Sequence, residues 1–295
     1  MRYKLIQSKV LDKNEVFLPL YPEVQKLAEA EYERLKPMVL GKTIPEVQEA
    51  IQSNAFSYED LTRFFLYRIY KYELDNAKTL NKVIALNLDV IEEAKRRDAA
   101  LKADPGTSRH PIFGMPVLLK DNINTKGMRT TAGAIALQDN KTGDAYIVER
   151  LREKGALILG KLNLREWDYY MCSGCAVGYS SIGGQTLNPS GRRTFETGGS
   201  SSGSCTAMAA GYAMGAVGTE TSGSILSPSS QNSIVGLKPK VGMLSRNGIV
   251  PISGTLDTPG PMARTVTDAA KLMDALLGYD VLDPAAINVN WGDNS

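Results

Sequence analysis

Histidine is almost missing from this chain: there is one, His110, in the polar segment Ser108-Arg109-His110-Pro111, which reads as a loop. A Ser–His or Cys–His hydrolase needs a histidine beside its nucleophile, so any nucleophilic serine here must find another base. Cysteine is scarce as well, with three in 295 residues. Cys172-Ser173-Gly174-Cys175 has the spacing of half a zinc site or a redox pair, but Cys205 and His110 are too scattered to complete four ligands. No thioredoxin-like unit surrounds the pair, so the cysteines are expected to be reduced, lining a loop or pocket wall. No apolar run is long enough to cross a bilayer, and Met1-Arg2-Tyr3-Lys4-Leu5-Ile6 lacks the marks of a signal peptide, which leaves the cytoplasm as the default expectation. Neither sign of charge dominates: 34 Lys and Arg face 32 Asp and Glu. The longest basic run, Lys95-Arg96-Arg97, lies beside Glu92 and Glu93 and reads as a solvated helix face. A nucleic-acid or anionic-membrane footprint is therefore not expected. The remaining composition is that of an ordinary soluble globular protein with one large domain or two small ones.

Glycine and serine, by contrast, are concentrated in two places. Gly198-Gly199-Ser200-Ser201-Ser202-Gly203-Ser204 and Gly218-Thr219-Glu220-Thr221-Ser222-Gly223-Ser224 are separated by the small, apolar run 205–217. That run fits a short buried helix and then a buried strand, which argues against a flexible linker and brings two tight turns together. A hydroxyl on a glycine-flanked turn can be aimed at a substrate, and the backbone N–H groups beside it can face a developing oxyanion, as acyl transfer requires. The candidate base is Lys120, which closes the apolar stretch Pro116-Val117-Leu118-Leu119. Burial there disfavours the ammonium, and a neutral amine accepts a proton from serine; the plain alternative is a solvated lysine at a strand end.

Apolar spacing predicts helices over 22–40, over 43–51 with Pro45 in the first turn, and from an N-cap at Ser57 through Tyr72. Residues 1–80 thus read as a helical segment packed on a core of 81–295, with Phe64 and Tyr67 serving packing rather than a substrate channel. Strand candidates at 83–86, 114–119, 156–159 and 233–237 alternate with helices at 90–102, 144–154, from Asn163 onward, and at 266–277. The last helix is expected to turn Ala269, Ala270, Met273, Leu276 and Leu277 inward. This alternation predicts an α/β fold, a sheet covered by helices.

At these residues the sequence resembles the amidase signature family of serine hydrolases, whose Gly-Gly-Ser-Ser-Gly-type motif falls on 198–204 and whose nucleophile motif falls on 218–228. Further similar segments are Gly183-Gly184-Gln185-Thr186-Leu187-Asn188-Pro189, Ile234-Val235-Gly236-Leu237-Lys238-Pro239 and Thr258-Pro259-Gly260-Pro261-Met262-Ala263-Arg264. The resemblance implies a mixed, twisted sheet with helices on both sides. It also implies Ser224 as nucleophile, Ser200 as a serine preceded by a cis peptide, and Lys120 as base. The backbone N–H groups of Thr221, Ser222, Gly223 and Ser224 would hold the oxyanion; Gly198, Gly199, Cys172 and Gln185 would contact substrate. No metal or organic cofactor is implied. The expected reaction is hydrolysis of a linear carboxamide through an acyl-enzyme. The segment 244–253 looks like that of stand-alone amidases, including those acting on C-terminal peptide amides. Two alternatives stand beside this: the glutaminase component of a tRNA-dependent amidotransferase, and a non-catalytic relative serving as an interaction module. Ser222 departs from the Gly or Asp of many members, and Lys240 from a common Thr. Members normally continue beyond residue 295, so the C-terminal part of the family domain is expected to be absent, and self-association or a partner chain to cover what it leaves.

Overall fold

Pro116-Val117-Leu118-Leu119 and Leu157-Ile158-Leu159 are apolar at every position, the pattern of strands covered on both faces. In the computed structural model of the chain, which describes residues 3–171 and 174–286, they lie at the centre of a six-stranded mixed sheet. The strands are β1 (Val83–Leu86), β2 (Pro116–Lys120), β3 (Leu157–Leu162), β4 (Tyr179–Ser180), β5 (Gly184–Gln185), β6 (Gly215–Glu220), β7 (Val235–Gly236) and β8 (Thr258–Ala263). The large sheet runs β1-β3-β2-β6-β8-β7, while β4 and β5 pair by themselves. Strands β3, β2 and β6 are mutually parallel; β1, β8 and β7 join antiparallel. Every residue of β2, β3 and β6 is buried. Leu119 pairs with Val217, so the C-terminal ends of two parallel strands carry Lys120 and Thr219 side by side, where ligands gather in such sheets.

The expected α/β architecture is present, a mixed sheet flanked by helices, with four local differences. The helix expected over 22–40 is two, Tyr21–Val24 and Glu29–Val39. The chain turns between them, and Ala28 is extended (ψ 150°), which lets Val24 and Leu27 reach the same core as Tyr32, Leu35 and Val39. Strand β8 has no signature in the sequence, because Pro259 and Pro261 argue against a strand; it pairs with β6 along its length, and its outer neighbour β7 is only two residues long. Proline's missing donor is tolerated near such an edge. The helix Val266–Leu276 buries Asp268, Ala269, Leu272, Ala275 and Leu276, with Ala270 exposed and Met273 half-buried. Its face is rotated from the expected one because the Asp268 carboxylate accepts the Ile44 N–H at 2.6 Å and draws that side inward. The helix expected from Asn163 is replaced by a short 3-10 turn, Glu166–Tyr169, in which Trp167, Asp168 and Tyr169 take left-handed φ of 49°, 53° and 79°.

The expectation of reduced cysteines fails at Cys175, which is disulfide-bonded. It rested on the lack of a redox fold around the cysteines, whereas a disulfide requires only suitably placed Cβ atoms. Cys205 is a free, buried thiol, pushed well above the ordinary thiol range by burial. Cys172 lies outside the described residues.

Candidate active site

The centre of the site is a buried lysine surrounded by acceptors. Lys120 is fully buried; its Nζ donates to Ser200 Oγ at 2.6 Å and to Thr219 Oγ1 at 2.7 Å, and forms an ion pair with Asp168. Burial pushes the ammonium below its ordinary value, and contact with Asp168 opposes that shift. Ser200 follows a cis peptide after Gly199. Its hydroxyl takes a hydrogen bond from Lys120 and donates to Asp168 Oδ1 at 2.7 Å, while its carbonyl accepts the Arg165 N–H at 3.0 Å. The helix Ser202–Ala209 begins directly afterwards and presses against residue 163: a Cβ on Gly203 would lie 2.2 Å from the Asn163 carbonyl oxygen, so only glycine fits.

The second turn is tied to the first through its backbone. Ser201 N–H donates to the Ser224 carbonyl at 3.2 Å, and Gly223 bends the chain at φ 87°. The Glu220 carboxylate accepts the N–H groups of Ile225 (2.7 Å) and Leu226 (2.8 Å), fixing the loop that returns past Ser224. None of the N–H groups of residues 221–224 is bonded to another backbone carbonyl among the described residues. Thr221 Oγ1 donates to Asp257, whose other oxygen accepts Ile252 N–H (2.7 Å) and Ser253 N–H (2.8 Å). The turn is thereby joined to the wall of the cleft above it. That cleft has a volume of about 290 Å³; Ser200, Ser224, Asp168 and Thr219 line its inner end, and segments 246–254 and 282–284 its wall.

The residues expected from sequence divide clearly. Lys120 bonds Ser200, and Ser200 and Ser224 line one cleft, with Thr221, Ser222, Gly223 and Gly199 around an adjoining opening. Gly198 lies behind the turn, where a Cβ would meet the Pro228 Cα at 2.6 Å. Gln185 is buried, does not line this cleft, and donates its amide N–H groups to the carbonyls of Val177 (2.6 Å) and Thr186 (2.9 Å). Cys172 lies outside the described residues. Among the described residues no cluster of three His, Cys, Asp or Glu is placed to hold a metal.

Four groups were missed. Asn122 donates to Asp168 Oδ2 and Thr219 Oγ1, both at 2.8 Å, and its place two residues after Lys120 could have signalled it. Thr219 and Glu220 open the second serine motif and were legible in the same way. Asp168 carried no signal, because it lies in the left-handed turn that the spacing reads as helix.

The chain matches the family model described as Amidase over residues 60–290. A probable amidase of Arabidopsis thaliana is 42% identical over 245 residues, covering 82% of this chain and 47% of that protein. A glutamyl-tRNA(Gln) amidotransferase subunit of Exiguobacterium sibiricum is 41% identical, over 71% of this chain and 42% of its own. Among solved structures, an amidase family protein from Bacillus anthracis superimposes with a TM-score of 0.88 at 41% identity, covering 96% of this chain and 56% of that one. The native peptide amidase of Stenotrophomonas maltophilia gives 0.80 at 45% identity, over 85% and 50%. The chain spans about half the length of the curated relatives it matches. The two serine turns meeting over a buried lysine are thus set in a fold and sequence shared with these proteins, and the chain belongs to the amidase family.

Proposed function

We propose that this protein is a serine amidohydrolase that cleaves a linear carboxamide through an acyl-enzyme. Ser224 Oγ attacks the amide carbonyl, Ser200 takes its proton and passes its own into the buried network closed by Lys120, and the proton returns to the leaving nitrogen. The N–H groups of residues 221–224 receive the oxyanion, a contribution of about 2.7–4 kcal/mol for each donor of this kind. Water then repeats the sequence on the acyl group. The observation that carries the reading is the fully buried Ser200 hydroxyl, bonded to Lys120 on one side while its own turn is tied to that of Ser224. Likeness to the peptide amidase and the apolar wall of Val250, Ile252, Leu282 and Pro284 favour a peptide C-terminal carboxamide as substrate.

The test is intact mass after treatment with an alkyl fluorophosphonate. One adduct on Ser224 is expected. Ser224→Ala should lose it, and Ser200→Ala should slow it by about 100-fold or more while leaving a residue. Equal labelling of the parent and both variants would refute the assignment. The identity to the amidotransferase component supports a second reading, glutaminase within a larger assembly. Glutamine hydrolysis that appears only with tRNA and partner proteins would establish it, and ammonia release from peptide amides by the chain alone would exclude it.

Among the described residues no helix is long and apolar enough to cross a membrane. We propose the cytoplasm as its site, to be checked by fractionation with thiol blocking. A Cys175 disulfide found intact in cells would place the protein in an oxidising compartment instead.

A further inference from the structure

We propose that Leu282, held at the mouth of the cleft by Arg246 and Asp283, selects the residue that precedes the amidated one. The preferred substrate is then a peptide amide of at least two residues with an apolar side chain at that position. This rests on the reading of the cleft as an amidohydrolase site and adds to it the length and chemistry of the acyl part.

Three observations carry it. First, the cleft runs from a buried floor to an open, apolar mouth. Ser200 and Ser224 at its inner end are buried, Val250 and Ile252 on the wall are half-buried, and Leu282 on the same wall is 73% exposed. A leucine so exposed buries little in the free protein, and a chain lying in the cleft would cover it. Second, this exposed residue is fixed on both sides. Asp280 accepts the Ser245 hydroxyl at 2.6 Å and the Leu282 N–H at 2.9 Å. Asp283 accepts Arg246 Nη2 at 2.6 Å, Arg246 Nε at 3.0 Å, the Arg246 N–H at 2.8 Å and the Ala285 N–H at 2.9 Å. A two-pronged guanidinium–carboxylate pair fixes direction as well as distance, and a wall already ordered loses less freedom when substrate lies on it. Third, the same guanidinium joins two parts of the wall. Arg246 Nη1 donates to the Gly254 carbonyl at 2.5 Å, so Arg246 sets the spacing between segments 252–254 and 282–284. Its hydrogen bonds hold the Asp283 carboxyl down to about 2, so the pair persists through neutral and mildly acid pH.

Burial orders the wall by depth. With its carboxamide at Ser224, a peptide laid outward along the cleft sets the amidated residue against Val250 and Ile252 and the residue before it against Leu282 and Pro284. A single amino acid amide ends before it reaches Leu282.

The test is ammonia release from three amides: N-acetylalanine amide, N-acetylseryl-alanine amide and N-acetylleucyl-alanine amide. The parent is expected to prefer the leucyl over the seryl peptide by about tenfold or more in kcat/KM, carried by KM. Leu282→Ser should erase that preference. Arg246→Ala should weaken it as well, because the wall segment loses its anchor, and Arg246→Lys, which can keep one bond to Asp283, should recover part of it. An Arg246 that served only stability would change all three rates together and leave the preference intact. Equal use of the leucyl and seryl peptides by the parent, or an undiminished preference in Leu282→Ser, would overturn the inference. Should the Arg246 variants fail to fold, the parent and Leu282→Ser decide. Binding of the two peptides to Ser224→Ala, measured by titration calorimetry, separates this inference from the reading it rests on. No ammonia from any amide would strike at the amidohydrolase reading, whereas equal affinity of Ser224→Ala for both peptides would overturn the role of Leu282 alone.

Discussion

Lys82 places its ammonium nitrogen 3.7 Å from the centre of the Tyr212 ring and 3.7 Å from Glu73 Oε1, fully buried and with no hydrogen bond among the described residues. Glu73 is already engaged by Thr79, Tyr212 and the Lys82 and Leu80 N–H groups, so it cannot offer the ammonium good geometry. Burial pushes Lys82 down to about 7. The folded chain therefore binds fewer protons at this position than the unfolded chain does between pH 7 and the ordinary lysine range. Stability should rise with pH across that window, by at most ~1.4 kcal/mol per pH unit from this group, and the cost should be constant below it. Lys82→Met is expected to raise stability at neutral pH and to flatten the slope; urea denaturation of both proteins at neutral and alkaline pH measures this. An unchanged slope would show that another group is responsible. Residues such as Lys82 are invisible in sequence, because burial of a charge depends on chain segments far apart. Lys120, Ser200 and Ser224 were legible because the motif places them on short turns at the ends of apolar strands. Asp168 was hidden by its neighbours Trp167 and Tyr169, whose left-handed backbone no propensity suggests.

At the scale of elements, local signals were readable where the stabilising contact is itself local. Ser57 caps the helix Tyr58–Glu73, accepting the Asp60 N–H at 3.0 Å while Asp60 bonds back to Ser57, a reciprocal box legible from four residues. Ser57→Ala should cost about 1 kcal/mol of stability, observable as a lower midpoint in thermal denaturation with the active site unaffected. No loss would mean that packing of Phe64, Phe65 and Ile69 alone sets the helix start. The same reasoning failed where distant groups decide. The face of Val266–Leu276 follows a bond from Ile44, and β8 follows its register against β6 despite two prolines.

For the molecule as a whole, Tyr32, Leu35, Phe64 and Phe65 share one continuous core with Leu118, Leu119, Ile158 and Val217. We propose that the division near residue 80 is one of composition and not of folding. Calorimetry should then give a single cooperative transition; two resolved transitions would separate the helical segment from the sheet. Asp257 has a consequence at this scale as well. One oxygen holds Thr221 in the turn beside Ser224, and the other holds the backbone of Ile252 and Ser253 in the cleft wall. On the proposed chemistry, the part that selects an amide and the part that stabilises its reaction share a single strut. A substitution that reshapes the 252–253 loop to admit a new substrate would also displace the groups that speed its cleavage. New specificity would evolve more freely through Leu282 and Pro284, on the wall segment to which Asp257 makes no bond.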